Sequence, residues 1–275
     1  MKKNEYDCIF SIGRDCCCAS YLLWHELRRY SGPFDWITNA QWEDCAKLIC
    51  NDLNDFINPE DLEPLSKRAD MFNDDKCDYY RNKRTHYAYF HDFPAGVPVE
   101  KSYEAVKEKY LRRIERFNLF LKYSERPLLI WMCHNTKTSD EDILKHCRDI
   151  CAKYGNKVQF CFVEHDHDGI YCKNENDIKI YNPAPNITIV RAYIRFLDEH
   201  GIPLVFGKKE QYDRIIKLLN ISFKMPHPLL LYIRSKIRTG DKKKYYQELF
   251  HILYASKKHL TFSFFGLRLS FRIRD

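Results

Sequence analysis

Hydrophobic residues follow two alternating patterns along residues 1–222. Short apolar runs that end in turn residues predict buried strands, and segments with apolar residues three and four positions apart predict amphipathic helices. The predicted strands are "YDCIFSIG", "RPLLIWMCHN", "KVQFCFVEHD" and "NITIVRAYI". The predicted helices are "CCCASYLLWHELRRY", one starting near Thr38 or Asn39, "VEKSYEAVKEKYLRRIERFNLFLKYS", "SDEDILKHCRDICAKYG" and "KKEQYDRIIKLLN".

This alternation of strands and helices predicts the fold class. Helices between strands are typical of an α/β protein, so we expect a three-layer, open, mainly parallel sheet with flanking helices. Residues 51–100 do not follow the alternation, because they are polar and rich in Asp, Asn and Pro. Within them only "THYAYFHDFP" alternates enough to predict a strand or an extended loop.

Residues 223–275 have a different pattern, in which large apolar residues are interleaved with Arg and Lys. In "LTFSFFGLRLSFRIR" the alternation predicts an amphipathic strand. Either it docks on the domain as an edge strand or hairpin, or its basic and aromatic residues attach the chain to a membrane surface. We therefore predict an α/β catalytic-like domain over residues 1–222 and a basic, aromatic-rich C-terminal extension over residues 223–275.

The net charge of +7 is concentrated in this extension. Residues 223–275 contain twelve Lys or Arg against three Asp or Glu, so residues 1–222 are slightly acidic. This distribution argues against nucleic-acid binding by the main domain. It indicates a local anionic partner for the extension, such as a phospholipid surface.

The composition of the sequence indicates the cellular compartment and the redox state of the cysteines. The first residues, "MKKNEYDCIF", are too polar for a signal peptide, and no apolar stretch reaches the ~18 residues that a membrane-spanning helix needs. We expect a cytoplasmic protein, with the inner face of the plasma membrane as the place where the extension would bind. The twelve cysteines are expected to be reduced thiols, and their spacing lacks the paired CxxC motifs of a structural zinc site.

One further motif could bind a metal, and two motifs typical of nucleotide binding are absent. "EHDHDG", residues 164–169, forms either a solvated loop or a divalent-metal site through His165 and His167. The first interpretation is preferred, so no metal is assigned. Neither a Walker loop nor a GxGxxG motif is present in the sequence, which leaves nucleotide binding without support.

The segment "SIGRDCCCAS", residues 11–20, places Cys16 between a predicted strand and a predicted helix. The turn after a parallel strand lies at the carboxyl edge of the sheet, where ligands of open α/β folds bind. A helix N-terminus stabilises a thiolate, and its free N–H groups can form an oxyanion hole. Cys16 is thus either a nucleophile or a small residue in a crowded turn, whereas Cys17 and Cys18 are expected to be buried.

"SIGRDC" followed by "SGPFDWI" resembles the opening of a bacterial and viral family of unknown function described as putative papain-like cysteine peptidases. "YFHDF", "RRIERF" and "PLLIW" are similar to that family as well, so the resemblance covers about residues 6–170. It implies a thiol site in which Cys16 is the nucleophile and His91 is the base. For the residue that orients His91 we prefer Asp35, which alternatively caps the next helix, and we place Asp92 second.

The remaining assignments concern substrate. Gly13 and Arg14 lie in the turn, and Gly13 would allow substrate or backbone to approach closely. Arg113 and Arg116 are assigned to an anionic substrate or a coenzyme phosphate, with a salt-bridged helix surface as the alternative.

The strand–helix order is unlike a papain fold. The first-turn nucleophile more closely resembles SGNH-type hydrolases and a family of capsule-biosynthesis acyltransferases, and the C-terminus resembles capsule and lipopolysaccharide glycosyltransferases. We therefore expect acyl transfer or hydrolysis through a thioester, in bacterial surface-polysaccharide biosynthesis. The expected partner is a polysaccharide or acyl substrate, with acyl-coenzyme A as a candidate co-substrate. The alternative is a glycosyltransferase or sugar-binding accessory protein of the same pathway with no thiol chemistry.

Overall fold

The computed structural model describes residues 4–66, 76–134, 138–166, 171–174, 176–202, 204 and 206–224. Beyond residue 224 it describes the backbone of three strands only, and the side chains of Cys133 and His134 also lie outside the described part. The chain divides into two compact units, Met1–Lys224 and Met225–Asp275. The first unit therefore includes residues 223 and 224, which we had assigned to the extension.

The strands are, in chain order, β1 (Asn4–Tyr6), β2 (Cys8–Arg14), β3 (Ile37–Thr38), β4 (Leu62–Pro64), β5 (Cys77–Asn82), β6 (Ala88–Pro94), β7 (Pro127–His134), β8 (Gln159–His165), β9 (Ile178–Ala184), β10 (Ile187–Ala192), β11 (Ile221–Phe223), β12 (Ile252–Ala255), β13 (His259–Phe264) and β14 (Leu267–Arg272). The helices are α1 (Cys16–Trp24), α2 (Trp42–Cys50), α3 (Val99–Tyr123), α4 (Asp140–Tyr154) and α5 (Lys209–Leu219), and a short 3-10 helix covers Pro59–Asp61.

A five-stranded sheet with the strand order β2, β7, β8, β10, β9 organises the first unit. The first four strands are parallel, and β9 pairs antiparallel with β10. β2 and β8 are buried along almost their whole length, as expected of strands covered on both faces. The prediction of an α/β protein with a largely parallel sheet is confirmed, and the three-layer arrangement stays a prediction.

A second sheet of the first unit, with the order β3, β6, β5, β4, is antiparallel. Its strand β6 lies within "THYAYFHDFP", the segment predicted as a strand or an extended loop, but β4 and β5 lie in the part of residues 51–100 for which the pattern predicts no strand. Their alternation is weak because β4 has no buried residue and β5 buries only Tyr79 and Asn82. Asn82 accepts hydrogen bonds from the backbone N–H groups of Arg84 and Thr85, which closes the turn into β6.

α3 and α4 are close to their predicted bounds. The apolar residues of α3 that recur three and four positions apart are buried, namely Tyr103, Val106, Tyr110, Ile114, Phe117 and Leu121. Ser139 caps α4 by accepting a hydrogen bond from the N–H of Asp142, and Gly155 ends the helix with φ of 92°. These helices were predictable because their apolar spacing and their end signals agree.

α1 is shorter than predicted. It ends at Trp24, and Glu26 has φ of 58°, which turns the chain away from the helix axis. The N–H groups of Leu27 and Arg28 then both donate to the carbonyl of Leu22. The turn buries Leu27 while Arg28 reaches Asp35, so tertiary contacts override the helical pattern.

α2 begins later than predicted. Thr38 belongs to β3 and Asn39 has φ of 61°, so neither residue caps the helix. The residue before α2 is Gln41, which makes no side-chain capping hydrogen bond. Trp42, Cys45 and Ile49 on one face of α2 are buried, so burial of this face holds the helix in place.

One hydrophobic core cluster joins α1, the parallel sheet and α5. Tyr21 and Leu22 of α1 pack with Ile130 of β7, Val163 of β8 and Ile215 of α5. β11, which directly follows α5, pairs in parallel with β1. The core therefore fixes α1, and with it the start of the helix that carries Cys16.

In the second unit β12, β13 and β14 form an antiparallel sheet. β14 coincides with the strand predicted from the alternating pattern of "LRLSFR". The basic and amphipathic character of the predicted extension depends on side chains outside the described residues and stays a prediction. No helix among the described residues is long and apolar enough to cross a membrane.

Candidate active site

Cys16 stands where the parallel sheet meets α1. β2 ends at Arg14, Asp15 is the N-cap, and Cys16 is the first residue of α1. β2 is a strand of the parallel sheet, so this turn lies at the carboxyl edge, as predicted. The Cys16 side chain is partly exposed and remains accessible to solvent.

Gly13 serves the packing of this turn. It has φ of +121°, and a Cβ atom on it would lie 2.9 Å from the Trp131 ring and 3.3 Å from Cβ of Ala40. The carbonyl of the adjacent Arg14 accepts a hydrogen bond of 3.2 Å from the N–H of Ala40. The close approach expected at Gly13 is thus made by the protein's own side chains.

The antiparallel sheet positions His91 near Cys16. It lies on β6, and β3 pairs with β6 through Ile37 opposite Tyr89 and Thr38 opposite Ala88. The segment 31–40, which contains β3, is therefore bonded both to the strand of His91 and, through Ala40, to the Cys16 turn. The His91 ring thereby comes close enough to Cys16 for hydrogen bonding and charge to lower the pKa of the thiol.

The pKa of Cys16 lies well below that of a free thiol. The largest cause is a hydrogen bond from the Cys17 thiol; the hydrogen bond to His91 and the charge of its ring act in the same direction. Burial and the carboxylate of Asp15 raise the pKa and so oppose them. The balance favours the Cys16 thiolate, the state in which a cysteine is nucleophilic.

Cys17 and Asp15 are functional neighbours that the sequence interpretation missed. Asp15 accepts a hydrogen bond of 2.8 Å from the backbone N–H of Cys17, so this donor of the helix N-terminus is already used. The Cys17 thiol donates toward Cys16, which raises its own pKa. The signal available in the sequence was the N-cap preference for Asp one residue before the helix.

The predicted burial of the two following cysteines is confirmed. Cys17 is 7% exposed and Cys18 is fully buried, with its sulfur 3.5 Å from the carbonyl oxygen of Ile130. Burial raises the pKa of the Cys18 thiol above its usual range. Of these three thiols, Cys16 is therefore the one suited to nucleophilic chemistry.

Asp35 is fully buried and contacts an arginine. Its Oδ2 lies 3.2 Å from Nε of Arg28 and accepts a hydrogen bond of 2.9 Å from the N–H of Gly32. Burial raises its pKa to about 6, and the charges of Arg28, Arg113 and Arg116 oppose this rise. Its described partners thus belong to the loop 31–36 and the arginines around it.

Asp92, the second candidate orienter, faces away from His91. Successive strand residues point to opposite faces of a sheet. Asp92 accepts a hydrogen bond of 2.7 Å from the hydroxyl of Tyr110 and pairs with Lys109, both on α3. It ties β6 to α3 and does not share the face of His91.

The two arginines assigned to substrate also contact this loop or its carboxylate. Arg116 donates a hydrogen bond of 2.8 Å to the carbonyl of Ser31. The Arg113 guanidinium lies 5.4 Å from the centroid of the Tyr110 ring, and its charge acts on Asp35. Their role in binding substrate stays a prediction.

The described residues of the candidate metal motif, Glu164, His165 and Asp166, are buried. His165 is buried, with Nε2 3.0 Å from the hydroxyl of Tyr212. Asp166 accepts hydrogen bonds from the N–H groups of Tyr171 and Cys172. His167 lies outside the described residues, and the described ones contain no group of three residues suited to hold a metal ion.

A family model described as "Putative papain-like cysteine peptidase" matches residues 7–178, which include Cys16, Asp35 and His91. The chain is also 32% identical over 119 residues to "Uncharacterized protein R408" of Acanthamoeba polyphaga mimivirus. That match covers 39% of this chain and 53% of the viral protein, so it spans about half of the relative's length. No solved structure matches significantly.

Proposed function

The chain belongs to the family described as "Putative papain-like cysteine peptidase", and on this premise we propose that it is a cysteine-dependent acyl hydrolase or acyltransferase. Cys16 is the nucleophile and His91 is the general base. The observation that carries the proposal is the placement of the His91 ring beside the Cys16 thiol, whose pKa it lowers, at the carboxyl edge of the parallel sheet.

The reaction starts from the Cys16 thiolate and a protonated His91, and it has two steps. First, Sγ of Cys16 attacks the carbonyl carbon of the substrate, a C–S bond forms, and the bond to the leaving group breaks while His91 gives that group its proton. Second, His91 takes a proton from water, or from an acceptor alcohol or amine, which attacks the thioester. The acyl product leaves, and the electron pair of the C–S bond returns to the sulfur.

The position of the nucleophile supports esters or thioesters as substrates, in place of the peptides that a papain-type enzyme cleaves. The nucleophile follows the first strand of an open, largely parallel sheet, an arrangement that places reacting groups at one edge of the sheet. Acyl-coenzyme A as a donor and a role in surface-polysaccharide biosynthesis remain predictions from the sequence. The glycosyltransferase alternative gains no support, because it leaves the perturbed Cys16 pKa without a role.

The first test is site-selective alkylation. Near pH 6.5, where an ordinary thiol is almost entirely protonated, we expect iodoacetamide to label Cys16 at least ~10-fold faster than the other thiols. C16A should remove this fast phase, measured by mass spectrometry of peptides over time. C50A is the matched control, because Cys50 is also partly exposed but burial raises its pKa.

A fast phase that persists in C16A would contradict the proposal. Turnover is the second measurement: wild-type protein should release acid from simple acyl esters, and C16A and H91Q should not. Cleavage of a peptide library with no ester turnover would instead identify a peptidase acting through the same two residues.

A further inference from the structure

The loop 31–36 lies between the Cys16 turn and β6 and is unusually well anchored. Arg116 holds the carbonyl of Ser31, and Asp35 folds back to accept from the N–H of Gly32. Nη2 of Arg28 lies 3.4 Å from the hydroxyl of Ser31. Arg28, which follows α1, and Arg116 of α3 therefore fix the loop from two elements.

The buried carboxylate of Asp35 neutralises Arg28. The side chain of Arg28 is 11% exposed and that of Asp35 is 1% exposed, so both charges are largely removed from water. Pairs of this kind are costly to break, because the partner left behind keeps an uncompensated buried charge. The pair therefore holds the guanidinium in one place.

Trp36 links this pair to His91. The guanidinium carbon of Arg28 lies 5.2 Å from the centroid of the Trp36 ring, within the range of a cation–π interaction. The indole also contacts the His91 ring, at a centroid distance of 5.5 Å and an interplanar angle of 72°. Arg28, Trp36 and His91 thus form a continuous row of contacts that ends at the Cys16 sulfur.

From this row we propose that Arg28, Asp35 and Trp36 are positioning residues, and that the Arg28–Asp35 pair fixes the His91 ring through Trp36. The inference rests on the proposed function and adds the residues that hold His91 in position. Asp35 does not act by holding the imidazole directly; it neutralises and fixes Arg28, which clamps the indole. Its neutralising charge also limits the repulsion between Arg28 and a protonated His91.

The test measures how fast iodoacetamide alkylates Cys16 across pH, which needs no substrate. The half-maximal rate of the wild type is expected near pH 6. W36L removes the ring that Arg28 and His91 share, and since Trp36 is partly exposed the variant should fold. We expect its midpoint to move upward so that the rate near pH 6 falls about fivefold, with no change at high pH, where the thiol is ionised in both proteins. W36F keeps an aromatic ring and should restore most of the rate.

A double-mutant cycle tests the route of the effect. If Arg28 acts through Trp36, the combined variant R28K/W36L shifts the midpoint no further than W36L alone, whereas independent effects would add. R126K is the matched control, because Arg126 also lies over an aromatic ring, Tyr6 at 5.1 Å, but precedes β7 at the opposite edge of the sheet. It should leave the profile unchanged.

The outcomes separate the two proposals. If H91Q shifts the midpoint but W36L does not, or if R28K and W36L shift it additively, the positioning role is overturned and the proposed function stands. If H91Q also leaves the profile at its wild-type position, the Cys16–His91 pair itself is wrong. A shift in W36L that W36F reverses, together with a non-additive cycle, supports the inference.

Discussion

At the scale of single residues, three consecutive cysteines have three different environments. Cys16 faces His91, Cys17 donates to Cys16, and Cys18 is sealed in the core. Adjacent residues on a helix diverge by about 100°, so the identical side chains meet different neighbours. The reactivity of Cys16 therefore depends on the thiol beside it as much as on the base.

The Cys17 hydrogen bond gives a direct prediction. C17A removes the donor, so the Cys16 pKa should rise and alkylation near pH 6 should slow by about 10-fold, one pKa unit or more. C17S keeps a hydroxyl donor and should retain part of the rate. C18A is the control: it should lower stability and leave the pH midpoint in place. An unchanged midpoint in C17A would show that the Cys17 thiol contributes nothing.

Asp35 predicts an unusual pH dependence of stability. Its folded pKa of about 6 lies above that of an unfolded Asp, so the unfolded state loses its proton first as pH rises. Asp35 therefore lowers the free energy of unfolding by about 3 kcal/mol between about pH 4 and pH 6. Urea unfolding of wild type and D35N across this range should show this loss in the wild type only. Parallel curves for the two proteins would contradict the assignment.

At the scale of elements, the segment 31–40 matters most, and the sequence indicated only part of it. The helix start predicted near Thr38 or Asn39 falls within this segment, although α2 begins at Trp42. β3 was missed because two residues are too few for an alternating pattern. The early end of α1 was missed for a different reason: the apolar spacing continues to Tyr30, and only tertiary contacts of Leu27 and Arg28 oppose it.

The pairing of Cys16 with His91 followed from the family resemblance, and spacing along the chain could not have supplied it. Cys16 begins the helix that follows the parallel sheet, whereas His91 lies on the antiparallel sheet. The strands β4 and β5, which complete the antiparallel sheet, carry too few buried residues to be recognised. Asp35 was the preferred orienter because carboxylates commonly serve that purpose. Its long-range contact with Arg28 depends on how α1 ends, which local pattern does not encode.

The Gly13 turn can be tested as an element. G13A would place a Cβ atom 2.9 Å from Trp131 at φ of +121°, so we expect a loss of about 3 kcal/mol in the free energy of unfolding, from backbone strain and overpacking together. G96A is the matched control, because Gly96 has φ of +71° but no atom within 4 Å of the added Cβ. It should lose only about 1 kcal/mol. Equal losses would show that the contact with Trp131 is unimportant.

At the scale of the whole molecule, the net positive charge lies in the residues after position 222. The basic residues after position 222 predict binding to anionic vesicles, with each cation contributing about 1 kcal/mol. Replacing Lys242, Lys243 and Lys244 by Ala should weaken binding about 100-fold in a sedimentation assay. Replacing the exposed Lys83, Lys101 and Lys145 of the first unit is the control. Equal weakening by both triple variants would place the contact outside the extension.

The position of Cys16 at the start of α1, far along the chain from His91 on β6, has a consequence during synthesis. A nascent chain that has emerged only as far as α1 carries an ordinary, protonated thiol, because its proton acceptor arrives much later on β6. The Cys16 sulfur becomes reactive only after both sheets and the segment 31–40 have folded. A brief pulse of alkylating agent in mild acid would therefore mark mature molecules and spare those still being made.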